Sequence, residues 1–219
     1  MNVELVIFDM DGLMFDTERV AKRAWKAAGD KFGYKLEGEL FDSFLGRNIV
    51  SVKNIVVDTY GENCPVDDII KEVKYIENKI VDDEGLVVKE GLYDLLNHLK
   101  SLNIKIAVAT SSRRERATKL LTLAKIENEF DYIICGDEVT KSKPDPEIYL
   151  KACALLEANP SECYALEDSK NGLLSAYRAG CKPIMVPDLW QPDDEVLKVI
   201  VGKYNDLDEV KVAFEKKDV

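Results

Sequence analysis

The sequence predicts an α/β fold in which a parallel sheet carries helices on both faces and an all-helical domain is inserted after the first strand. Three observations predict it. Short apolar runs recur along the chain and stop at polar turns, amphipathic stretches separate them, and one long stretch after the first run is helical with no strand pattern.

The first run is Leu5-Val6-Ile7-Phe8, which meets Asp9-Met10-Asp11-Gly12. Consecutive apolar residues, with Val6 and Ile7 β-branched, fit a strand buried on both faces. Its end delivers Asp9 to the C-terminal edge of the sheet, beyond which open α/β sheets bind their ligands. Gly12 lets the backbone turn away from that edge. Thr17 reads as the cap of a helix starting at Glu18. Ala21, Ala24, Trp25, Ala28 and Phe32 form its apolar face, and Arg19, Lys22, Arg23 and Lys26 lie on the others. Those charges read as a solvated face, with a field that draws an anion as the sharper alternative.

From Leu36 to Glu84 the chain reads as helical, most clearly over Ile49 to Tyr60 and Val66 to Ile80, with a break at Gly61 to Pro65. Such an insert reads as a separate small domain over residues 16–87, leaving 1–15 and 88–219 as the α/β core. Leu45-Gly46-Arg47-Asn48 is a turn between its helices. The alternation then resumes. A helix over Gly91 to Leu102 leads to a strand over Ile104 to Ala109, which ends at Thr110-Ser111-Ser112. Arg114 to Ala124 is helical, Tyr132 to Cys135 extended, and Lys141-Ser142-Lys143-Pro144-Asp145 precedes a helix that Pro146 can begin. Cys163 to Leu166 is a strand ending at Glu167-Asp168-Ser169, Asn171 to Ala179 a helix closed by Gly180, and Pro183 to Val186 a further strand.

At 219 residues and 46% hydrophobic composition the chain can bury one substantial core and a smaller second one. Its net charge of -11 argues against nucleic-acid binding through the whole surface, so an anionic ligand must be attracted locally. No apolar run approaches the roughly 18 residues of a membrane span, and no basic-then-apolar leader opens the chain. A soluble, cytoplasmic, monomeric protein without membrane or nucleic-acid partners is expected. Cys64, Cys135, Cys153, Cys163 and Cys181 are unclustered and read as buried reduced thiols rather than disulfides or zinc ligands. The single histidine, His98, reads as a surface residue.

Three strand ends carry polar residues: Asp9 with Asp11, Thr110 with Ser111 and Ser112, and Glu167 with Asp168. A parallel sheet brings them to one edge, and the loop holding Lys143 can reach it. Two unit charges 4 Å apart repel by about 4 kcal/mol at an effective dielectric near 20, so this crowd of acids calls for a cation. Oxygen-rich ligation suits Mg²⁺, which accepts phosphate as a co-ligand. The combination fits phosphoryl transfer through a carboxylate, with Asp9 attacking phosphorus. Mg²⁺ is expected on Asp9, on the backbone carbonyl at Asp11 and on Asp168, with Glu167 a ligand directly or through water. Thr110, Ser111 and Lys143 are expected on the non-bridging oxygens. Asp11 is the expected acid for the leaving oxygen and base for water, which asks for a carboxyl more basic than usual, as beside other acids.

Through Asp9-Met10-Asp11-Gly12, Thr110-Ser111-Ser112, Lys143-Pro144-Asp145-Pro146 and Glu167-Asp168-Ser169, in that order, the chain resembles the haloacid dehalogenase superfamily, in particular the helical-capped subfamily like β-phosphoglucomutase. The resemblance spans nearly the whole length. It implies a Rossmann-like core, a helical cap, and Mg²⁺-dependent hydrolysis of small phosphate monoesters, such as sugar phosphates or related metabolites. Two leading aspartates mark the family's phosphatases, whereas dehalogenases keep only the first, so Asp11 speaks for phosphate. Sugar phosphomutases of the subfamily carry a histidine five residues after the position of Asp16 and an arginine three after that of Gly46; Ala21 and Ile49 stand there. This favours a hydrolase, with the mutase as the alternative. Arg47 is the cap candidate for touching substrate, and Arg113 lies near enough to Ser112 to help. A phosphoacceptor signalling module, with Asp137 after the third strand, is a fainter alternative, as is a binding protein with a retired site.

Overall fold

The computed structural model describes residues 3–218. The chain divides into two compact units, one made of the residues up to Phe15 and those from Val88 onward, the other of Asp16–Val87. In chain order the elements are β1 (Leu5–Phe8), α1 (Thr17–Phe32), α2 (Glu39–Asp42), α3 (Ile49–Tyr60), α4 (Val66–Glu84), α5 (Leu92–Ser101), β2 (Lys105–Ala109), α6 (Arg114–Leu123) and β3 (Tyr132–Ile134). They continue with α7 (Glu147–Leu155), β4 (Cys163–Glu167), α8 (Lys170–Arg178), β5 (Lys182–Met185), α9 (Asp194–Leu197), β6 (Gly202–Lys203) and α10 (Leu207–Lys216).

The sheet runs β3-β2-β1-β4-β5-β6 with every pairing parallel and helices on both faces. β1 sits between β2 and β4, so the strand order reverses there, which opens a crevice at the C-terminal edge. Side chains alternate across a strand. Leu5 and Ile7, Ala107 and Ala109, and Cys163 and Ala165 therefore share one face, where Ile148, Tyr149 and Ala152 of α7 and Ala176 of α8 cover them. The other face takes Val6, Phe8 and Tyr164, whose ring meets Phe214 of α10 edge-on at 5.4 Å. Small residues recur on the α7 and α8 face, and they let those helices lie close to the strands.

In the helical unit α1 packs along α4, and Trp25 stacks against Phe44 at 4.8 Å. Gly33, at φ +80°, ends α1. The charges on α1 are paired within this unit: Arg19 with Asp16, Arg23 with Glu84, and Lys26 with Asp30 and Glu37. Thr17 lies inside the helix and Asp16 takes the position before it. Its carboxylate accepts from Arg19 and makes no capping bond to the backbone.

Other boundaries shift for local reasons. β4 runs on through Glu167, because Val186 N–H donates to the Glu167 carbonyl at 2.8 Å. Pro146 stands one position ahead of α7. The β6 strand, two residues long, is too short to show a period in the sequence. All five cysteines are buried free thiols. His98 is half-buried rather than fully exposed: its side chain is 19% exposed, and Nδ1 lies 4.0 Å from Glu215 Oε1 of α10. Among the described residues no helix is long and apolar enough to cross a membrane.

Ile7 is fully buried at the centre of the α7 and α8 face. Ile7→Ala should cost about 2–5 kcal/mol through lost burial and the cavity left behind. Urea denaturation tests this by a lower midpoint at unchanged slope; a shift under 1 kcal/mol would mean that the face does not hold the unit together.

Candidate active site

The alternation that builds the core also builds the site. Asp9 follows Leu5 and Ile7 on the same face, and Glu167 follows Cys163 and Ala165, so both carboxylates emerge on the side of α7 and α8. The ladder continues one residue past β1, with Asp9 N–H donating to the Leu166 carbonyl at 3.0 Å. Lys143 fills the gap between the two acids. Its ammonium donates to Asp9 Oδ1 at 2.6 Å, to Glu167 Oε1 at 2.6 Å and to the Ala109 carbonyl at 2.8 Å.

The loop that carries Lys143 is tied down at both ends. Thr140 and Lys141 donate backbone N–H groups to Glu147 in the first turn of α7, each at 2.8 Å. From α8, Ser175 Oγ donates to the Asp145 carbonyl at 2.6 Å and Arg178 to the Pro144 carbonyl at 2.9 Å.

Glu167 is wholly buried and surrounded by donors. Besides Lys143, Oε1 accepts from Tyr149 Oη at 2.7 Å, and Oε2 accepts from Ser169 Oγ at 3.0 Å. A Cβ on Gly172 would stand 1.8 Å from Oε1, so α8 reaches this carboxylate only because position 172 has no side chain. Gly12 does the same for Asp168: a Cβ there would be 2.2 Å from Oδ2, and the backbone turns through φ +83°.

Burial pushes Asp9 up to about 8, with Glu167 and Asp11 adding to the rise and Lys143 opposing it. Burial would lower the Lys143 ammonium, but Asp9 and Glu167 outweigh it and the net shift is upward. Burial, then the charge of Glu167, raises the Tyr149 phenol well above its ordinary value, so it stays a donor.

Asp9, Glu167 and Asp168 each offer an oxygen, and the three oxygens lie within 4.8 Å of one another. Three buried carboxylates share one buried ammonium, an excess of negative charge that a divalent cation with oxygen ligands would balance. The donor set therefore fits Mg²⁺ in kind. The Asp11 carboxylate is not one of the three, and a metal role for this residue rests on its backbone carbonyl.

Asp11 has neighbours that its sequence does not suggest. Its Oδ2 accepts from Ser112 Oγ at 2.8 Å and its Oδ1 from Arg116 at 2.6 Å, so a hydroxyl and a cation hold it where its charge still reaches Asp9. Gly12 N–H donating to the Phe15 carbonyl closes the short loop that turns it this way.

Thr110 continues β2 by donating N–H to the Ile134 carbonyl at 3.0 Å, and its buried hydroxyl accepts from Ser112 N–H at 3.0 Å. Ser111 is exposed, its carbonyl packed against Gly136. Arg113 is exposed ahead of α6. Asp137 accepts from Arg114 N–H at 3.1 Å and serves as a backbone anchor. Arg47 belongs to the helical unit, exposed before α3, with Nε donating to the Ser43 carbonyl at 2.8 Å.

Sequence reasoning missed Tyr149, Gly172 and Arg116. Tyr149 reads as a core aromatic, and Gly172 as a weak point in a helix. Arg116 had a signal: it stands four residues after Ser112, a spacing that puts both on one side of a helix start.

A family model for haloacid dehalogenase-like hydrolases matches residues 6–186. The chain belongs to that family. This haloacid dehalogenase-like hydrolase is 33% identical over 182 residues to a phosphorylated carbohydrates phosphatase of Thermotoga maritima, covering 83% of this chain and 84% of the other. It is 31% identical over 186 residues to the β-phosphoglucomutase of Bacillus subtilis, covering 81% and 80% of the two chains. The crystal structure of CbbY from Rhodobacter sphaeroides in complex with phosphate shares its fold at a TM-score of 0.80 and 25% identity, covering 95% of this hydrolase and 96% of that chain.

Tyr149→Phe removes one of the donors to a buried charge and should lower stability by about 1–3 kcal/mol. Gly172→Ala forces a methyl group into Glu167 and should cost more. Denaturant midpoints check both; two neutral substitutions would show that Glu167 is not anchored in this way.

Proposed function

We propose that this hydrolase is a Mg²⁺-dependent phosphatase of small phosphate monoesters, sugar phosphates or related metabolites, acting through an aspartyl phosphate on Asp9. The observation that carries the reading is the Lys143 ammonium holding Asp9 and Glu167 side by side, next to Asp168, where the strand order reverses.

Asp9 Oδ attacks phosphorus as the bond from phosphorus to the ester oxygen breaks, and Asp11 gives the departing alkoxide a proton. Water then attacks the same phosphorus, Asp11 takes a proton from it, and the bond to Asp9 breaks to release inorganic phosphate. Lys143 and the Thr110 and Ser111 segment meet the charge that spreads over the phosphoryl oxygens. Asp9, Asp168 and the Asp11 carbonyl would hold Mg²⁺, which would supply positive charge between the incoming phosphate and the carboxylates. With its oxygens engaged by Lys143, Tyr149 and Ser169, Glu167 acts from behind, fixing Lys143 and the direction of Asp9.

The relative named as a phosphorylated carbohydrates phosphatase supports hydrolysis of sugar phosphates. The β-phosphoglucomutase relative supports the alternative, a phosphomutase. Against it stand Ala21 and Ile49, which bring neither a titratable group nor a cation to the positions where the mutase pattern has them.

Asp9→Asn should lower phosphate release from a panel of phosphorylated metabolites by on the order of 10³-fold or more. A chelator should abolish wild-type activity, Mg²⁺ should restore it, and Mg²⁺ alone should raise the thermal midpoint by mass action. Full activity in Asp9→Asn rejects the nucleophile. Isomerisation of glucose 1-phosphate outpacing phosphate release would favour the mutase.

A further inference from the structure

Arg116 stands on the first turn of α6 with its side chain 34% exposed. Its Nη1 donates to Asp11 Oδ1 at 2.6 Å and to Ser112 Oγ at 3.1 Å. Two other cations at this edge are committed to the framework. Lys143 is locked between Asp9, Glu167 and the Ala109 carbonyl, and Arg114 is held by Glu138 and the Ile133 carbonyl. Arg116 instead leans on the carboxylate that meets the leaving oxygen in the phosphatase reading, on which this inference rests.

A guanidinium only donates, so it holds Oδ1 as an acceptor and competes with the leaving oxygen for that atom. The competition ends if substrate gives Arg116 another partner. The planar fork pairs best with a carboxylate or phosphate, and a side chain on a first helical turn can swing to it by a change of rotamer. In a chain of net charge -11, attraction of a doubly anionic ester depends on such a local cation. We infer that Arg116 is a specificity residue for the leaving group: it selects esters whose leaving group bears a second anion, carboxylate or phosphate, and that anion draws it off Asp11.

The test is kcat/KM with Mg²⁺ on two matched pairs. The first pair is 3-phosphoglycerate against glycerol 3-phosphate, and the second is fructose 1,6-bisphosphate against fructose 1-phosphate. Wild type should prefer the doubly anionic member of at least one pair by on the order of 10-fold or more, and that pair identifies the anion. Arg116→Ala and Arg116→Gln should collapse this ratio toward one, chiefly through KM. Equal turnover within both pairs by wild type, or variants that lower both members by the same factor, would overturn the inference. Calorimetric titration of the same esters into Asp9→Asn reads Arg116 apart from turnover. Tighter binding of the doubly anionic ester, lost on adding Arg116→Ala, supports the inference even if every ester resists hydrolysis, an outcome that defeats only the phosphatase reading. Equal affinities defeat the inference.

Discussion

One buried ammonium holds the active edge together. Lys143 is almost fully enclosed, and its partners are the carboxylates of the two central strands and a carbonyl of a third. Taking the ammonium away would strand two buried carboxylates, and a buried charge left without its partner typically costs about 3–5 kcal/mol. With both ionised, the edge carries one negative charge in excess even before Asp168 is counted. Structure and the proposed chemistry share the same constraint here: the charge that must be balanced for folding is the charge that would attract a cation to this edge.

The sheet makes that arrangement repeatable from simple rules. Parallel pairing in register puts Phe8 opposite Leu166, and the next residue on each strand is a carboxylic acid on the same face. Strand order reverses at β1, so no crossover runs over the crevice between β1 and β4. The helix side of the site is equally economical. Tyr149 and Gly172 come from α7 and α8, the helices that cover the core face, so the groups that close the core also close around Glu167.

Much of this is legible in sequence because strand ends are marked by a change of chemistry. Apolar runs stop at Asp9, Thr110 and Glu167, and a parallel sheet gives those positions one address. The helix and strand segments up to Val186 follow from the same periodicities. What the sequence hides is direction. Nothing local says that Asp11 takes Ser112 and Arg116 as its donors, because a short loop closed by Gly12 and Phe15 decides it. Nothing marks Tyr149 as more than core, because its ring is buried among apolar groups and only its hydroxyl touches Glu167. His98 looked solvent-facing on α5 because α10, which flanks it with Glu215, lies more than a hundred residues onward. Thr17 looked like a cap by residue type, while Asp16 holds that place and spends its carboxylate on Arg19.

The central claim is that Lys143 aims Asp9 at phosphorus beside a cation held by the acids of the first and fourth strands. A crystal structure grown with Mg²⁺ and beryllium fluoride, which mimics a phosphoryl group on a carboxylate, tests it most directly. Beryllium is expected on an Asp9 oxygen, with the metal on Asp9 and Asp168 and Lys143 still within hydrogen-bond reach of the bound group. Beryllium on another carboxylate, or a cation bound away from Asp9, would contradict it.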